Sequence, residues 1–293
     1  MYENKFWKKN WDPHVKDLDP SGFETTFAEA IRSTFEDFPD KMAYSYLGVE
    51  FSYKDLDQHS NQFANMLISH GFESGDIVGI CLPNIPEYII AVVGAHKAGC
   101  VVSGVSPLLS AVQIQYQLND LGSKGNKVAL VTLDAIFAGH IVKIASKLPQ
   151  LKLIVASSIG GFLPKVKAFL GKLLGKIPKG NVTPLPGKMV LDFHKEVIKE
   201  YSTDLPEVDI TPDDLAFIQY RGGTTGPPKG AMLTHRNFTS DMLIFQHWLD
   251  WERGAGVGLS GFPFFHIAGL FTCANVLWLG WSQVLIPNPR DTD

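Results

Sequence analysis

Apolar positions recur along this chain with two different periods, and the switches between them mark its elements. Phe27, Ile31 and Phe35 share one face at helical spacing, which predicts a helix over 27–38 that ends at Pro39. Alternating residues on either side of Gly48 predict a hairpin over 43–51. Ser52 and Asp55 form a capping box ahead of a helix that carries Leu56, Phe63 and Leu67 and stops near Gly71. Short apolar runs then alternate with helical ones. A strand over 77–82 ends at Pro83. Asn84 is placed to cap a helix running through Glu87 to Lys97, with Gly99 as its left-handed stop. His96 and Lys97 read as a solvated end of that helix. Val101 and Val102 begin another strand, Ser110 opens a helix, and 127–132 is strand again. A further helix leads to a strand over 151–155. Strict alternation of this kind predicts a parallel sheet covered by helices. Residues 1–24, rich in Trp, Pro and charge, predict an irregular arm on a larger body, and no internal repeat is visible.

Residues 162–179 break the pattern. Phe162, Val166, Phe169, Leu170, Leu173 and Leu174 fall at helical spacing, while Lys165, Lys167, Lys172, Lys176 and Lys179 fill the other faces without a single acid. Two readings fit. One is a helix that lies on an anionic membrane surface; the other is a helix that covers the sheet and turns a lysine face to solvent. Gly160-Gly161 on one side and 178–186 on the other bracket it as an excursion from the scaffold.

The stretch densest in chemistry is 220–230, Tyr-Arg-Gly-Gly-Thr-Thr-Gly-Pro-Pro-Lys-Gly, which follows the compact apolar run 215–218. Its glycines let backbone N–H groups approach a ligand, its threonines add hydroxyl donors, and its lysine adds a charge. Strand, glycine-rich loop and then helix is a common way to cradle phosphate. The usual P-loop, with Lys directly after the last glycine and a hydroxyl next, does not fit, because two prolines separate Gly226 from Lys229. Composition narrows the rest. A formal charge of −4 gives no reason to expect a nucleic acid partner, and no uncharged apolar run is long enough to span a membrane. Cys81, Cys100 and Cys273 stand far apart in apolar surroundings with no metal or redox spacing. With no signal peptide at the amino terminus, the expected compartment is a reducing cytoplasm, with peripheral membrane contact as an addition.

The 220–230 run resembles the signature of the adenylate-forming (AMP-binding) superfamily, [YF]-[ST]-[SG]-G-[ST]-T-G-x-P-K-G. Its extension over 231–237 is similar to bacterial long-chain fatty-acid–CoA ligases. The runs 75–78, 82–84 and 97–99 and the closing 286–291 resemble the same family. By that resemblance Gly222, Gly223, Thr224, Thr225, Gly226 and Lys229 hold the ATP phosphates. Arg221 departs from the family's Ser or Thr, and it either pairs with phosphate directly or disturbs metal placement. A second similar run, 261–269, implies that His266 sits beside the acyl or carboxylate group, with Phe264, Phe265 and Gly269 at the acyl pocket. Leu270 stands where some long-chain members place an aromatic gate, so gating there is not implied.

The resemblance implies an α/β fold with parallel and mixed sheets flanked by helices, as in the N-terminal domain of adenylate-forming enzymes, with the second sheet incomplete. About 70–235 would form a first α/β subdomain, and 1–69 with 236–293 part of a second. The family's Y-G-x-T-E run, its ribose-binding Asp and its C-terminal domain with a catalytic lysine are not found in the sequence. The implied reaction is ATP-dependent activation of a fatty acid, with Mg2+ on the phosphates, followed by transfer to CoA. Open strand edges would favour a homodimer or a complementing C-terminal half. Two readings of other classes stand beside it: a non-catalytic ATP- or acyl-binding fragment, and a membrane-surface scaffold. Peptide-synthetase-like and luciferase-like enzymes are neighbours in the same class.

Overall fold

The computed structural model describes residues 5–223 and 226–288. Their strands form two sheets. The larger contains β3 (Ile77–Cys81), β4 (Val101–Gly104), β5 (Val128–Leu133), β6 (Leu151–Ser157), β7 (Met189–Asp192), β8 (Leu215–Gly223) and β9 (Gly226–Thr234), in the order β7-β6-β5-β3-β4-β8-β9. All its pairs are parallel except β8–β9. Every residue of β3, β4 and β5 is buried. Apolar runs without alternation suit strands covered on both faces. The smaller sheet joins β1 (Met42–Tyr46) and β2 (Val49–Ser52) to β10 (Val257–Leu259) and β11 (Ser282–Leu285), in the order β10-β11-β1-β2. Leu47 and Gly48, both at positive φ, make the two-residue turn between β1 and β2. The sequence pattern did not predict β7, β9, β10 or β11. Strand β10 lies at an edge, with Val257 and Leu259 exposed.

Helix starts follow the capping signals. The longer helices are α1 (Phe27–Asp37), α2 (Tyr53–Ser69), α3 (Pro86–Lys97), α4 (Ala111–Leu121), α5 (Lys165–Leu173), α6 (His235–Leu249) and α7 (Ile267–Trp278), with short helical turns over 134–147 and 193–200. Ser52, Ser110 and Thr234 each cap a helix and complete a capping box, as does Thr26. Asn84 does not cap α3. Ile85 occupies that position without a side-chain bond, and Pro86 starts the helix. Gly99 does stop it, at φ +72.

Helix α3 is buried along its whole length. It packs on α2 so closely that a Cβ on Gly94 would stand 2.6 Å from the Ser60 carbonyl oxygen. The expectation of a solvated C-terminal end is overturned. His96 is buried among the rings of Phe27, Phe217 and His235, and neither of its ring nitrogens has a hydrogen-bond partner. Lys97 is buried too, and its ammonium bonds to the Asp57 carboxylate, Ser60 Oγ and Asn61 Oδ1. Periodicity missed this because a second layer, α1 and α2, covers the face that a two-layer reading leaves open. Among the described residues, no helix is long and apolar enough to cross a membrane.

The histidine cluster sets a pH dependence. Burial pushes His96 well below its usual range, helped by His235, and burial lowers His235 to about 4. Both rings are therefore neutral in the folded state. As pH falls below about 6.5 the unfolded chain takes up protons that the folded one refuses, so stability falls. The slope is about 1.4 kcal/mol per pH unit for each histidine. Urea unfolding across this range should show that acid loss, with a shallower slope in His96→Leu. Identical slopes in the two proteins would contradict it.

Candidate functional site

Strand β8 enters the sheet beside β4, where Val102 pairs with Phe217 and Ser103 Oγ donates to the Ile218 carbonyl at 2.7 Å. Beyond this point it leaves the sheet as a two-stranded ribbon with β9. Its register is Gln219 with Ala231, Tyr220 with Gly230, Arg221 with Lys229 and Gly223 with Gly226. The glycine-rich run is thus the tip of a hairpin, and β9 stands between it and α6, where the sequence suggested a direct passage from loop to helix. The prolines made a strand hard to foresee. They are tolerated because β9 is the sheet's edge and its outer N–H groups have no strand to serve. Thr224 and Thr225 lie outside the described residues.

Two tyrosines pin the ribbon to α4. Tyr220 Oη bonds to the Asp120 carboxylate, and Tyr116 Oη donates to the Pro228 carbonyl at 3.1 Å. The Tyr220 ring lies across Gly230, where a Cβ would stand 3.2 Å from it. Residues of an antiparallel pair that stand directly opposite share a face, so Arg221 and Lys229 project together from the tip. Both are exposed, and neither makes an ion pair or a side-chain hydrogen bond within the described residues. Opposed like charges destabilise a ribbon unless an anion sits between them. An exposed pair of opposed cations is an arrangement that can hold an anion.

The second predicted run lies on the same edge of the sheet. Asn84, just past the end of β3, donates to the Ser260 and Phe262 carbonyls at 3.1 and 2.9 Å and accepts from the Phe264 N–H at 2.8 Å. Tyr88 Oη donates to the Phe264 carbonyl at 2.8 Å. Gly104 ends β4, and a Cβ there would stand 2.5 Å from the Phe265 carbonyl oxygen. A Cβ on Gly269 would stand 2.1 Å from the Pro263 carbonyl oxygen. The run is therefore clamped by backbone contacts. Its Phe265 backbone packs on the end of β4, and β8 is the next strand, one spacing of about 5 Å away, which brings the run near the base of the ribbon.

His266 caps α7, its Nδ1 accepting from the Ala268 N–H at 3.3 Å. In the neutral ring this leaves the proton on Nε2, and the exposed side chain presents that donor to solvent. The expected pocket residues separate. Phe264 is buried against the Tyr88 ring, Gly269 serves a close backbone approach, and Phe265 is half-buried. An open groove of about 530 Å³ runs beside the start of α7, with Leu233, Phe238, Ile244, Ile267, Ala268 and Phe271 along it. The sequence pointed to none of these residues as lining. Nor did it reveal Asn84, Tyr116 and Asp120 as supports, since each contact spans long sequence separations.

The motif's extension is structural. His235 Nδ1 accepts from the Phe27 N–H at 3.1 Å, and Arg236 bonds to Asp213 and Glu24. A Glu87–His194–Ser157 cluster also forms at the end of β6, with His194 Nε2 2.8 Å from Glu87 and 3.1 Å from Ser157. Both partners meet the same ring nitrogen, so the cluster cannot relay a proton as a nucleophile triad does. No group of three or more His, Cys, Asp or Glu side chains able to hold a metal ion occurs among the described residues.

Known proteins share this fold. The sequence profile described as AMP-binding enzyme matches residues 31–293. A long-chain-fatty-acid–CoA ligase of Bacillus subtilis (strain 168) is 33% identical over 273 residues, covering 87% of this chain and 45% of that protein. The structure of an anthranilate CoA ligase in complex with anthranoyl-AMP superimposes with a TM-score of 0.74 at 21% identity, over 92% of this chain and 47% of that one. A long-chain-fatty-acid-CoA ligase structure from Archaeoglobus fulgidus gives 0.71 at 19% identity, over 95% and 50%. The chain spans about half the length of the curated relatives it matches.

The clamp on the 260–266 run can be tested by Asn84→Ala, which leaves three backbone groups without their partner, two of them in buried bonds. A loss of about 1–3 kcal/mol for each group not rescued by water is expected in denaturant unfolding. A loss below about 0.5 kcal/mol would mean that the run holds its place without Asn84.

Proposed function

Because the chain belongs to the AMP-binding enzymes, we propose that it binds ATP at the β8–β9 tip and activates a fatty acid as its acyl-adenylate, for transfer to CoA. The observation that carries this reading is the opposed pair Arg221 and Lys229, without an ion-pair partner among the described residues, on the sheet edge that also holds His266. A carboxylate oxygen attacks the α-phosphorus, the bond to the β-phosphate oxygen breaks, and pyrophosphate leaves. CoA thiolate then attacks the acyl carbon and AMP departs. Negative charge gathers on the leaving phosphates in the first step, and preorganised donors stabilise it. The Gly222, Gly223 and Gly226 backbone, the Thr224 and Thr225 hydroxyls and Lys229 supply those donors.

Arg221 takes the place of a neutral hydroxyl with a fixed cation whose planar fork fits phosphate oxygens. The free Nε2–H of His266 suits a carboxylate or acyl oxygen. Magnesium would arrive on the ATP phosphates, as it commonly does, and the described residues assign it no protein ligand. The apolar groove beside α7 favours an apolar acid, and the long-chain choice rests on the relatives. A homodimer or a complementing C-terminal half belongs to the same proposal. Either could supply groups that these residues do not.

Fatty-acid-dependent ATP–pyrophosphate exchange by the purified chain, scanned over acyl length, tests the reading. Lys229→Ala should lower exchange about 100-fold. Arg221→Ser should raise the KM for ATP about tenfold, the effect of one charge-assisted hydrogen bond. ATP binding without exchange would favour a non-catalytic binding unit. Exchange indifferent to both substitutions would remove the ribbon tip from the site.

A further inference from the structure

Helix α5 is turned inside out. A surface helix of a globular protein normally faces its apolar stripe to the core. Here Val166, Phe169, Leu170, Leu173 and the following Leu174 are between 47% and 72% exposed, and no residue of α5 is buried. The reading in which this helix covers the sheet is therefore overturned. The residues that face the protein are the small Ala168 and Gly171, with lysines at their flanks. A Cβ on Gly171 would stand 2.7 Å from Ile177, and Lys165, Ala168 and Lys172 line a cavity of about 590 Å³ below the helix.

The exposure is not that of a loose segment. Phe162 packs its ring against Phe51, His59 and His194, Leu163 and Ile177 are buried at the two ends, and Lys167 Nζ donates to the Leu47 carbonyl at 2.5 Å. Leu47, itself exposed, extends the apolar patch. Five lysines and no acid fall within 162–179 of a chain whose formal charge is −4. The positive charge is local: Lys165, Lys167 and Lys172 lie on the helix that carries the exposed apolar stripe, and Lys176 and Lys179 just beyond its end.

We infer that α5 docks flat on a lipid bilayer containing anionic phospholipid, its apolar stripe in the headgroup–acyl boundary and its lysines against the phosphates. An apolar stripe flanked by lysines is the pattern of an interfacial helix. An acidic protein groove would satisfy the lysines but would leave the leucine stripe unmatched. The helix follows the C-terminal end of β6, on the edge that holds the ribbon and His266. Four strand spacings separate β6 from β8, about 19 Å. A bilayer here would present fatty acid to that edge; this consequence rests on the ligase reading, whereas the lipid contact does not.

Flotation with vesicles, without ATP or fatty acid, tests the contact and excludes aggregates, which sink. The chain should float with mixed phosphatidylglycerol–phosphatidylcholine vesicles and remain at the bottom with phosphatidylcholine alone. Lys172→Glu with Lys176→Glu should weaken partitioning about 30-fold or more, the product of about fivefold for each lysine removed. Phe169→Ser with Leu173→Ser should weaken it at every salt concentration. The substituted side chains are exposed or half-buried, and unchanged far-UV circular dichroism would show that the fold survives. Failure of the parent chain to float, or flotation unchanged in both variants, overturns the inference, including the case in which an acidic protein is bound instead. The exchange assay needs no vesicles, so either proposal can fail while the other stands.

Discussion

Total burial of α3 is the constraint on which the rest depends. An apolar helix of this kind needs cover on every side, and it receives the sheet on one face and α1 and α2 on another. The polar groups it carries cannot be left bare in such a place. Glu87 accepts from Ser157 and lies against His194, Tyr88 reaches the Phe264 carbonyl, and Lys97 bonds to three groups around α2. Each of these contacts ties a distant element to the helix. Only His96 is left without a hydrogen bond, and aromatic rings surround it instead.

The candidate site follows from that arrangement. Parallel strands end together on one edge, and in open α/β sheets that edge is where ligands gather. The clamp around Asn84 and the close approaches at Gly104 and Gly269 fix the His266 run there by backbone contacts, which leave little freedom. The ribbon is different. Its outer strand is exposed, it is tied to α4 by two tyrosines, and its tip holds two opposed cations. A clamped run and an exposed arm therefore share one edge of the sheet. Helix α5 adds a third kind of surface to the same edge, apolar and basic together.

Much of this was legible in the sequence, for definite reasons. Period-two and period-3.6 patterns gave β3 to β6 and α1 to α4, because these elements bury a face or a whole run and composition records burial. The capping boxes at Ser52, Ser110 and Thr234 were legible because they are local, made within four residues. The 220–230 run suggested an anion site through residue types alone. Strand β9 was not legible, because Pro227 and Pro228 argue against a strand unless it is known to be an edge.

Sequence alone thus determined the alternating α/β class and the family, and it singled out the stretch proposed for the phosphate chemistry, since each is written in short-range pattern. Tertiary structure alone decided which polar residues are supports and which stand exposed at the sheet edge. Asn84 looked like a helix cap and is the clamp of a run nearly 180 residues away; His96 and Lys97 looked solvated and are core. Helix α5 had two readings with one pattern, because periodicity says that an apolar stripe exists and cannot say what it faces. That direction is set by how the helix is anchored at Phe162 and Ile177, contacts that exist only once the chain has folded.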